Sequence, residues 1–169
     1  MKTAIVYYSR RGNNWFDSHV AFLEKGNTEL IASYIKEASD GDLFPLTMKE
    51  EYSSDYDEAV SQAKFDQDNN IERLPTSIPD LSMYDVIYLG YPIYFEDMPK
   101  VVESFLKHSG LKNKTIYPFV THEGSGLGAS ISKIRAILPY CEVKDALPIP
   151  GTLAPRAHNR VVNWVYKHN

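Results

Sequence analysis

Length, composition and charge limit the classes of protein to which this sequence can belong. The chain has 169 residues, of which 43% are hydrophobic and 24% charged, and this suits one globular domain with a substantial core. Eighteen basic and 22 acidic residues give a net charge of −4, so we expect no binding to nucleic acid or to an anionic membrane. A single cysteine excludes an intramolecular disulfide. Since a signal peptide and a long apolar segment are also missing, the sequence predicts a cytoplasmic protein.

Three short runs of β-branched and aromatic residues predict the central strands of a sheet. They cover residues 3–8, 85–91 and 115–121, and each is apolar on both faces, which is typical of a parallel sheet covered on both sides. Two shorter runs, 43–46 and 143–149, each contain a proline. We expect them at outer positions, where a missing backbone N–H is tolerated.

Five segments with helical periodicity alternate with these strands. They cover residues 29–39, 56–65, 98–108, 129–138 and 157–166. The second belongs to the most polar stretch of the chain and predicts a solvated helix. Alternation of strand and helix indicates right-handed βαβ units, and therefore an α/β fold in which a doubly wound sheet of five parallel strands forms the middle of three layers.

Ligands of such sheets bind beyond the carboxyl ends of the strands, so the segment after the first strand is the first candidate binding loop. It contains Ser9, Asn14 and the run Gly26-Asn27-Thr28, which directly precedes a helix. Free amides and the dipole of a helix N-terminus attract phosphate, the hydroxyls of Ser9 and Thr28 add donors, and Asn27 or Thr28 can cap the helix. An ordinary capped helix after a long surface loop is an equal alternative.

The segments after the other two central strands complete the candidate site. Tyr94 and Phe95 stand side by side after Pro92, where they can clamp a flat ring or merely cover the core. The segment 121–130 has three glycines in five positions before a helix, and its amides can face a polar ring edge. His122 is expected either near that ring or hydrogen-bonded to a neighbouring loop.

A phosphate cradle, an aromatic clamp and an amide-rich loop together match flavin mononucleotide (FMN). The chain resembles the flavodoxin family, especially its branch with a Ser-Arg-Thr-Gly-Asn-Thr phosphate loop, a Gly-hydrophobic-Pro-Ile-aromatic-aromatic loop and a Thr-His-x-Gly-Ser-Gly loop. The corresponding motifs here are Ser9-Arg10 with Gly26-Asn27-Thr28, Gly90 to Phe95, and Thr121 to Gly126. The resemblance covers residues 3–150 and implies strand order 2-1-3-4-5, noncovalent FMN and electron transfer. It implies these cofactor-binding residues: Ser9, Arg10, Asn14, Gly26, Asn27, Thr28, Pro92, Ile93, Tyr94, Phe95, Thr121, His122, Gly124, Ser125 and Gly126.

The sequence departs from this family pattern in two places. An insertion at about residues 11–25 splits the phosphate loop of an otherwise single domain spanning 1–169, and its apolar content predicts packing near the flavin, on a neighbouring subunit or over the sheet edge. The aromatic loop continues as Phe95-Glu96-Asp97 without the glycine that many flavodoxins have there. We expect Asp97 to tolerate a positive φ, but the missing glycine argues against a stable half-reduced flavin and purely one-electron carriage.

These observations leave two main functions open, and with them the question whether the protein is an enzyme. The leading one is a flavodoxin-type electron-transfer protein that docks with a reductase and an acceptor protein. The alternative is an FMN-dependent NAD(P)H reductase of quinones or similar small acceptors. A phosphoacceptor signalling domain would need acidic residues after the first strand, where Tyr7-Tyr8-Ser9 stands. Neither a catalytic residue nor a metal site is predicted.

Overall fold

The computed structural model describes residues 1–168, which form an α/β fold. Its strands are β1 (Thr3–Tyr7), β2 (Gly12–Phe16), β3 (His19–Leu23), β4 (Asp42–Pro45), β5 (Val86–Pro92), β6 (Thr115–His122), β7 (Glu142–Val143) and β8 (Leu147–Pro150). Its helices are α1 (Asn27–Ser39), α2 (Tyr56–Asn69), α3 (Lys100–His108), α4 (Ser130–Ile137) and α5 (His158–Tyr166), with a 3₁₀ turn at Gly151–Arg156 before the last. Within residues 1–168, none of the helices combines the length and apolarity that crossing a membrane requires.

The central sheet is parallel, as predicted, but its strand order agrees with the prediction only in part. The order is β4-β1-β5-β6-β7, with β8 also paired to β6, while β2 and β3 form a separate antiparallel hairpin. The predicted last strand is divided in two. The carbonyl of Ile116 accepts the N–H of Lys144 at 2.9 Å and therefore points toward the outer strand. The backbone groups of Pro118, two residues further along β6, point the same way. Because proline has no N–H, the outer strand loses a hydrogen bond at this position.

The core lies on both faces of the sheet because neighbouring strand residues point to opposite sides. In β1, Ile5 packs toward α1 and α5, whereas Val6 packs toward the face that α3 and α4 cover. Both side chains are fully buried. Burial on both sides explains why the central strands have continuous apolar sequences. Their parallel pairing places their carboxyl ends together at one edge.

Residues in the left-handed conformation follow the ends of the first two helices. The first helix ends at Ser39, as predicted, and its C-cap residue Asp40 has φ 51° and donates its N–H to Lys36 O. The second continues to Asn69 and ends at Asn70, whose φ is 50°. Short polar side chains that tolerate this conformation therefore take the place of glycine.

A buried charge cluster joins α3 to its surroundings. Glu103 accepts hydrogen bonds from Lys107 (2.8 Å) and Lys100 (3.1 Å), and Lys133 of α4 lies 3.5 Å away. Burial alone would raise the pKa of Glu103, but these ammonium groups lower it to about 2. Lys133 also forms an ion pair with Asp97, so this cluster ties the segment after β5 to α4.

Candidate functional site

A cleft of about 270 Å³ opens at the carboxyl ends of β1, β5 and β6. Three of the loops that line it are the three that the sequence singled out, because parallel strands end at the same edge of a sheet. Eleven of the fifteen predicted residues line the cleft: Ser9, Arg10, Asn14, Asn27, Thr28, Pro92, Ile93, Tyr94, Phe95, Thr121 and His122. Gly26, Gly124, Ser125 and Gly126 are not part of this lining.

At one end of the cleft, the N-terminus of α1 presents backbone donors. The helix begins at Asn27 and its N-cap residue, Gly26, has no side chain to cap it, so the predicted cap by Asn27 or Thr28 is wrong. Instead Ser9, at the end of β1, accepts the N–H of Glu29 at 3.0 Å. Within the described chain, the N–H groups of Asn27 and Thr28 have no protein acceptor. These amides and the helix dipole make this end suitable for an anion.

Gly26 allows the two parts of the divided loop to meet. A Cβ on this residue would stand 2.3 Å from Ser9 Oγ and 2.4 Å from the carbonyl oxygen of Arg10. The residues that precede and follow the insertion therefore touch at Gly26, and the glycine accommodates the protein's own backbone there.

The arginines next to this end are already engaged by protein groups. Arg10 donates from Nε to Asn13 O at 2.9 Å and from Nη2 to Ser53 O at 3.0 Å. Arg11 forms an ion pair with Glu29, with Nε 2.8 Å from the carboxylate. These contacts fix both guanidinium groups through Nε and Nη2, so the positions of the two arginines are set by the protein itself.

A buried pair of hydroxyls connects α1 to β6 in the floor of the cleft. Thr28 Oγ1 and Thr121 Oγ1 are 2.8 Å apart, and the two residues are only 1% and 4% exposed. If Thr121 donates to Thr28, the Thr28 proton remains available for a ligand in the cleft.

Aromatic side chains form the other end of the cleft. Tyr94 packs edge to face on Tyr8, with ring centroids 6.3 Å apart, and burial raises the pKa of Tyr94. The ring centroids of Trp15 and Tyr56 are 6.2 Å apart, and the angle between the two ring planes is 31°. Phe95 is exposed at the rim. A flat apolar ligand can pack between these walls.

The wall formed by α2 was missing from the sequence analysis. Tyr56, Ala59, Val60 and Ala63 line the cleft, so the helix predicted to be solvated buries one face. Their spacing of three and four residues was the available signal. Tyr52, just before α2, also lines the cleft and was missed; its hydroxyl donates to the buried carboxylate of Asp66 at 2.6 Å.

The aromatic loop makes a tight turn without glycine. Tyr94 N–H donates to Asp97 O at 2.8 Å and Asp97 N–H to Tyr94 O at 3.1 Å, while Phe95 and Glu96 between them have φ values of 51° and 62°. The positive φ values therefore fall on the two central residues of the turn, which carry the strain, and not on Asp97, which closes the turn. Ala129 N–H donates to Glu96 O at 2.8 Å and holds the turn in place.

The third loop approaches the cleft through the residues nearest to β6. His122 Nδ1 accepts the N–H of Gly124 at 3.0 Å, which assigns the proton of the neutral ring to Nε2, and burial followed by the charge of Arg160 lowers the pKa of His122. Gly124 and Gly126 have φ values of 124° and 63°, so they shape the backbone. Glu123 lines the cleft and was missed by the sequence analysis; burial raises its pKa.

Comparisons with known proteins agree with this architecture. The structure is similar to that of a candidate flavoprotein from Bacteroides uniformis, with a TM-score of 0.78 and 20% identity over 98% of this chain and 97% of that one. It is also similar to a Lactobacillus acidophilus flavoprotein in complex with FMN (TM-score 0.60, 19% identity, 92% and 97% covered) and to a P. pentosaceus protein named as an NADPH-quinone reductase (TM-score 0.57, 15% identity, 99% and 97% covered). A search of curated proteins finds no match. The family model for flavodoxin matches residues 18–168, and the chain belongs to the flavodoxin family.

Proposed function

We propose that the cleft binds FMN and that the protein is an electron carrier of the flavodoxin type. The observation that carries this proposal is the composition of the cleft, which has unpaired amides at a helix N-terminus at one end and aromatic walls at the other. Such a cleft suits a ligand with a phosphate at one end and a flat ring at the other. The Lactobacillus acidophilus relative, whose structure contains FMN, supports the same ligand.

The residues present fit the two parts of FMN. The phosphate would accept from the N–H groups of Asn27 and Thr28, and from the Thr28 hydroxyl, with the α1 dipole balancing its charge. The ring would lie between Tyr94 and the Trp15–Tyr56 pair. Bound FMN supplies the redox chemistry, whereas the protein orients the ring and limits access to it.

The open rim of the cleft supports a carrier. A volume of about 270 Å³ lies just below the range of small-molecule sites, roughly 300–1,000 Å³, so a bound flavin would fill the cleft and reach its rim. A reductase must also place a nicotinamide or a quinone against the ring. A carrier needs only an exposed ring edge, and Phe95 at the rim lies where a reductase or acceptor protein can dock.

The FMN-dependent NAD(P)H reductase remains the second candidate because of the hairpin. Trp15 gives the cleft an additional wall, which a small substrate could use, and one structural relative is named as an NADPH-quinone reductase. The reaction would convert NAD(P)H, a proton and a quinone into NAD(P)⁺ and the hydroquinone.

Binding is tested by titrating the ligand-free protein with FMN and following flavin fluorescence and the visible absorption bands. Riboflavin, which lacks the phosphate, should bind more weakly than FMN. Tyr94→Ala should weaken FMN binding at least about tenfold, using roughly 1.4 kcal/mol for a lost aromatic wall. Tyr140→Ala changes an exposed tyrosine outside the cleft lining and should leave the affinity unchanged. Failure to bind FMN would refute the proposal.

The two functions are separated by the rate of NAD(P)H oxidation. The FMN-loaded protein is mixed with NAD(P)H and a quinone, with and without a catalytic amount of a flavodoxin reductase. A carrier consumes NAD(P)H only when the reductase is present. Sustained consumption without it would assign the reductase function.

A further inference from the structure

Glu123 brings a carboxylate to the same end of the cleft as the free amides of α1. A Cβ on Gly151, the buried first residue of the 3₁₀ turn, would stand 2.2 Å from Glu123 Oε1 and 2.6 Å from Asn27 Nδ2. The polar ends of Glu123 and Asn27 therefore lie against the same glycine. Asn27 is the first residue of α1, and its N–H is one of the donors proposed for the phosphate. The carboxylate consequently lies beside the end of the cleft that suits an anion.

The carboxylate of Glu123 is not compensated by a positive charge. Its side chain lines the cleft, and within residues 1–168 burial is the single cause that shifts its pKa, which it raises. Glu103 shows the opposite shift, because its ammonium neighbours stabilise the ionised carboxylate. Arg10, the arginine that lines the same cleft, donates instead to the carbonyl oxygens of Asn13 and Ser53. Glu123 is thus an acid without a counter-charge in a binding cleft.

The titratable and charged groups near Glu123 come from three other parts of the fold. Tyr56 of α2 is neutral near pH 7, and Glu123 is one of the groups that raise its pKa. His122 precedes Glu123 at the end of β6, and Arg160 of α5 acts on His122, whose pKa its charge lowers. Gly151 contributes no side chain. None of these groups shifts the pKa of Glu123, so its charge is not offset when it is ionised.

We propose that Glu123 makes the preference of the cleft for FMN over riboflavin depend on pH. The inference rests on the proposed function, because it takes the phosphate to bind at the N-terminus of α1. A phosphate monoester carries a charge of about −1.5 to −2 near pH 7, so an ionised Glu123 beside it repels it. A protonated Glu123 removes this repulsion and can donate a hydrogen bond to a phosphate oxygen. Riboflavin has no phosphate and does not respond to the charge of Glu123.

The direction of the pH effect follows from the form of Glu123 that each state favours. Glu123 has a higher pKa beside a bound phosphate than in the ligand-free cleft, so the protein takes up protons when FMN binds. Glu123 therefore makes the affinity for FMN increase as the pH falls from about 8 to about 5. The phosphate itself, with a pKa of about 6, and His122 also titrate in this range. Both are retained when Glu123 is replaced, so a matched variant isolates its contribution.

Glu123→Gln keeps the shape of the side chain and removes its charge. Fluorescence titrations at about pH 8 and about pH 5.5 give the dissociation constants of FMN and riboflavin. At the higher pH the variant should bind FMN about three- to tenfold more tightly than the wild type, as expected for repulsion between partly solvated charges. At the lower pH this difference should shrink, and riboflavin should not distinguish the two proteins. Glu142→Gln, at an exposed glutamate outside the cleft lining, should behave as the wild type.

The titrations separate this inference from the proposed function. An equal pH dependence of FMN binding in the wild type and Glu123→Gln would overturn the inference and leave the proposed function intact. Weaker binding of both flavins by the variant would also overturn it, since the carboxylate would then accept hydrogen bonds from a part that the two flavins share. If the wild type bound no FMN, both proposals would be wrong.

Proton uptake gives a readout that does not depend on the size of the affinity change. The heat of FMN binding at about pH 6 is measured by calorimetry in two buffers that differ in ionisation enthalpy, and the difference gives the number of protons taken up. The wild type should take up more protons than Glu123→Gln, whereas riboflavin should show no such difference. Equal uptake by the two proteins would contradict the assigned role of Glu123.

Discussion

Replacing Thr28 with valine removes a single hydroxyl from the floor of the cleft and tests two consequences of its geometry. In the ligand-free protein, Thr28→Val leaves the Thr121 hydroxyl without its partner at 2.8 Å, in a site that is almost completely buried. An unsatisfied buried hydroxyl costs about 1–3 kcal/mol of unfolding free energy. Thr28→Val/Thr121→Val removes both partners, so most of this loss should be recovered.

The affinity for FMN should respond differently. If Thr28 donates to the phosphate while it accepts from Thr121, either variant loses one charge-assisted hydrogen bond, worth about 1.5–3 kcal/mol or roughly 10- to 150-fold in the dissociation constant. Valine at position 121 cannot restore this bond, so the double variant remains a weak binder. If the side-chain amide of Asn27, which also lines the cleft, donates to the phosphate as well, combining Thr28→Ala with Asn27→Ala should bring the loss to about 2–4 kcal/mol.

Urea unfolding of the ligand-free protein measures the first effect, and fluorescence titration with FMN measures the second. Thr152→Val, at an exposed threonine of the 3₁₀ turn, serves as the control and should change neither quantity. If the double variant regained stability and affinity together, Thr28 would act only through its contact with Thr121 and would not bind the phosphate. An unchanged stability of Thr28→Val would contradict the buried hydroxyl pair.

Three further changes test other parts of the fold. Gly90→Ala would place a Cβ 2.0 Å from the buried ring of Phe119 and should lower the unfolding free energy by about 3 kcal/mol. Adding Phe119→Leu should recover part of this loss. Urea unfolding measures both effects, and an unchanged stability of Gly90→Ala would contradict the packing. Gly128 has φ 53°, and a Cβ on it would stand 1.9 Å from Glu96 O, so Gly128→Ala should lower the unfolding free energy by about 2–3 kcal/mol. Glu96 has φ 62°, and Glu96→Gly should change the unfolding free energy by less than about 1 kcal/mol because it relieves strain. Similar losses in the two variants would refute the assigned strain. The pKa of Glu103 is lowered to about 2 in the folded protein, so its stabilising contribution is present above its unfolded pKa of about 4.3 and is lost as the pH falls toward 2. Glu103→Gln should flatten the dependence of the unfolding free energy on pH in this range. An unchanged pH dependence would argue against the lowered pKa.

The central strands were predictable because their burial does not depend on the identity of their neighbours. Ile5 and Val6 point to opposite faces, and any covered parallel sheet requires apolar residues at both. The positions of Ser9, Tyr94 and Thr121 at one edge follow from the same topology. The division of the last strand was less apparent, because the proline responsible, Pro118, belongs to the neighbouring strand β6.

Other parts of the site could not be predicted because they depend on contacts between distant segments. The N-terminus of α1 is capped by Ser9, 20 residues before the amide that it accepts. Tyr56 lies in a polar stretch, where its spacing to Ala59 and Ala63 indicated a buried face, but its packing against Trp15 of the hairpin joins segments that are far apart in the sequence. The positive φ values of Phe95 and Glu96 are likewise held from outside, in part by the N–H of Ala129.

The fold class, the family and the edge of the sheet where a ligand can bind follow from the amino-acid sequence, since hydrophobic periodicity and the loop motifs are local properties of the chain. Tertiary contacts set which groups face the cleft, which turn is strained and which carboxylate lies beside the N-terminus of α1. Each of these depends on hydrogen bonds and packing between residues that are far apart in the sequence, and the local pattern contains no record of them.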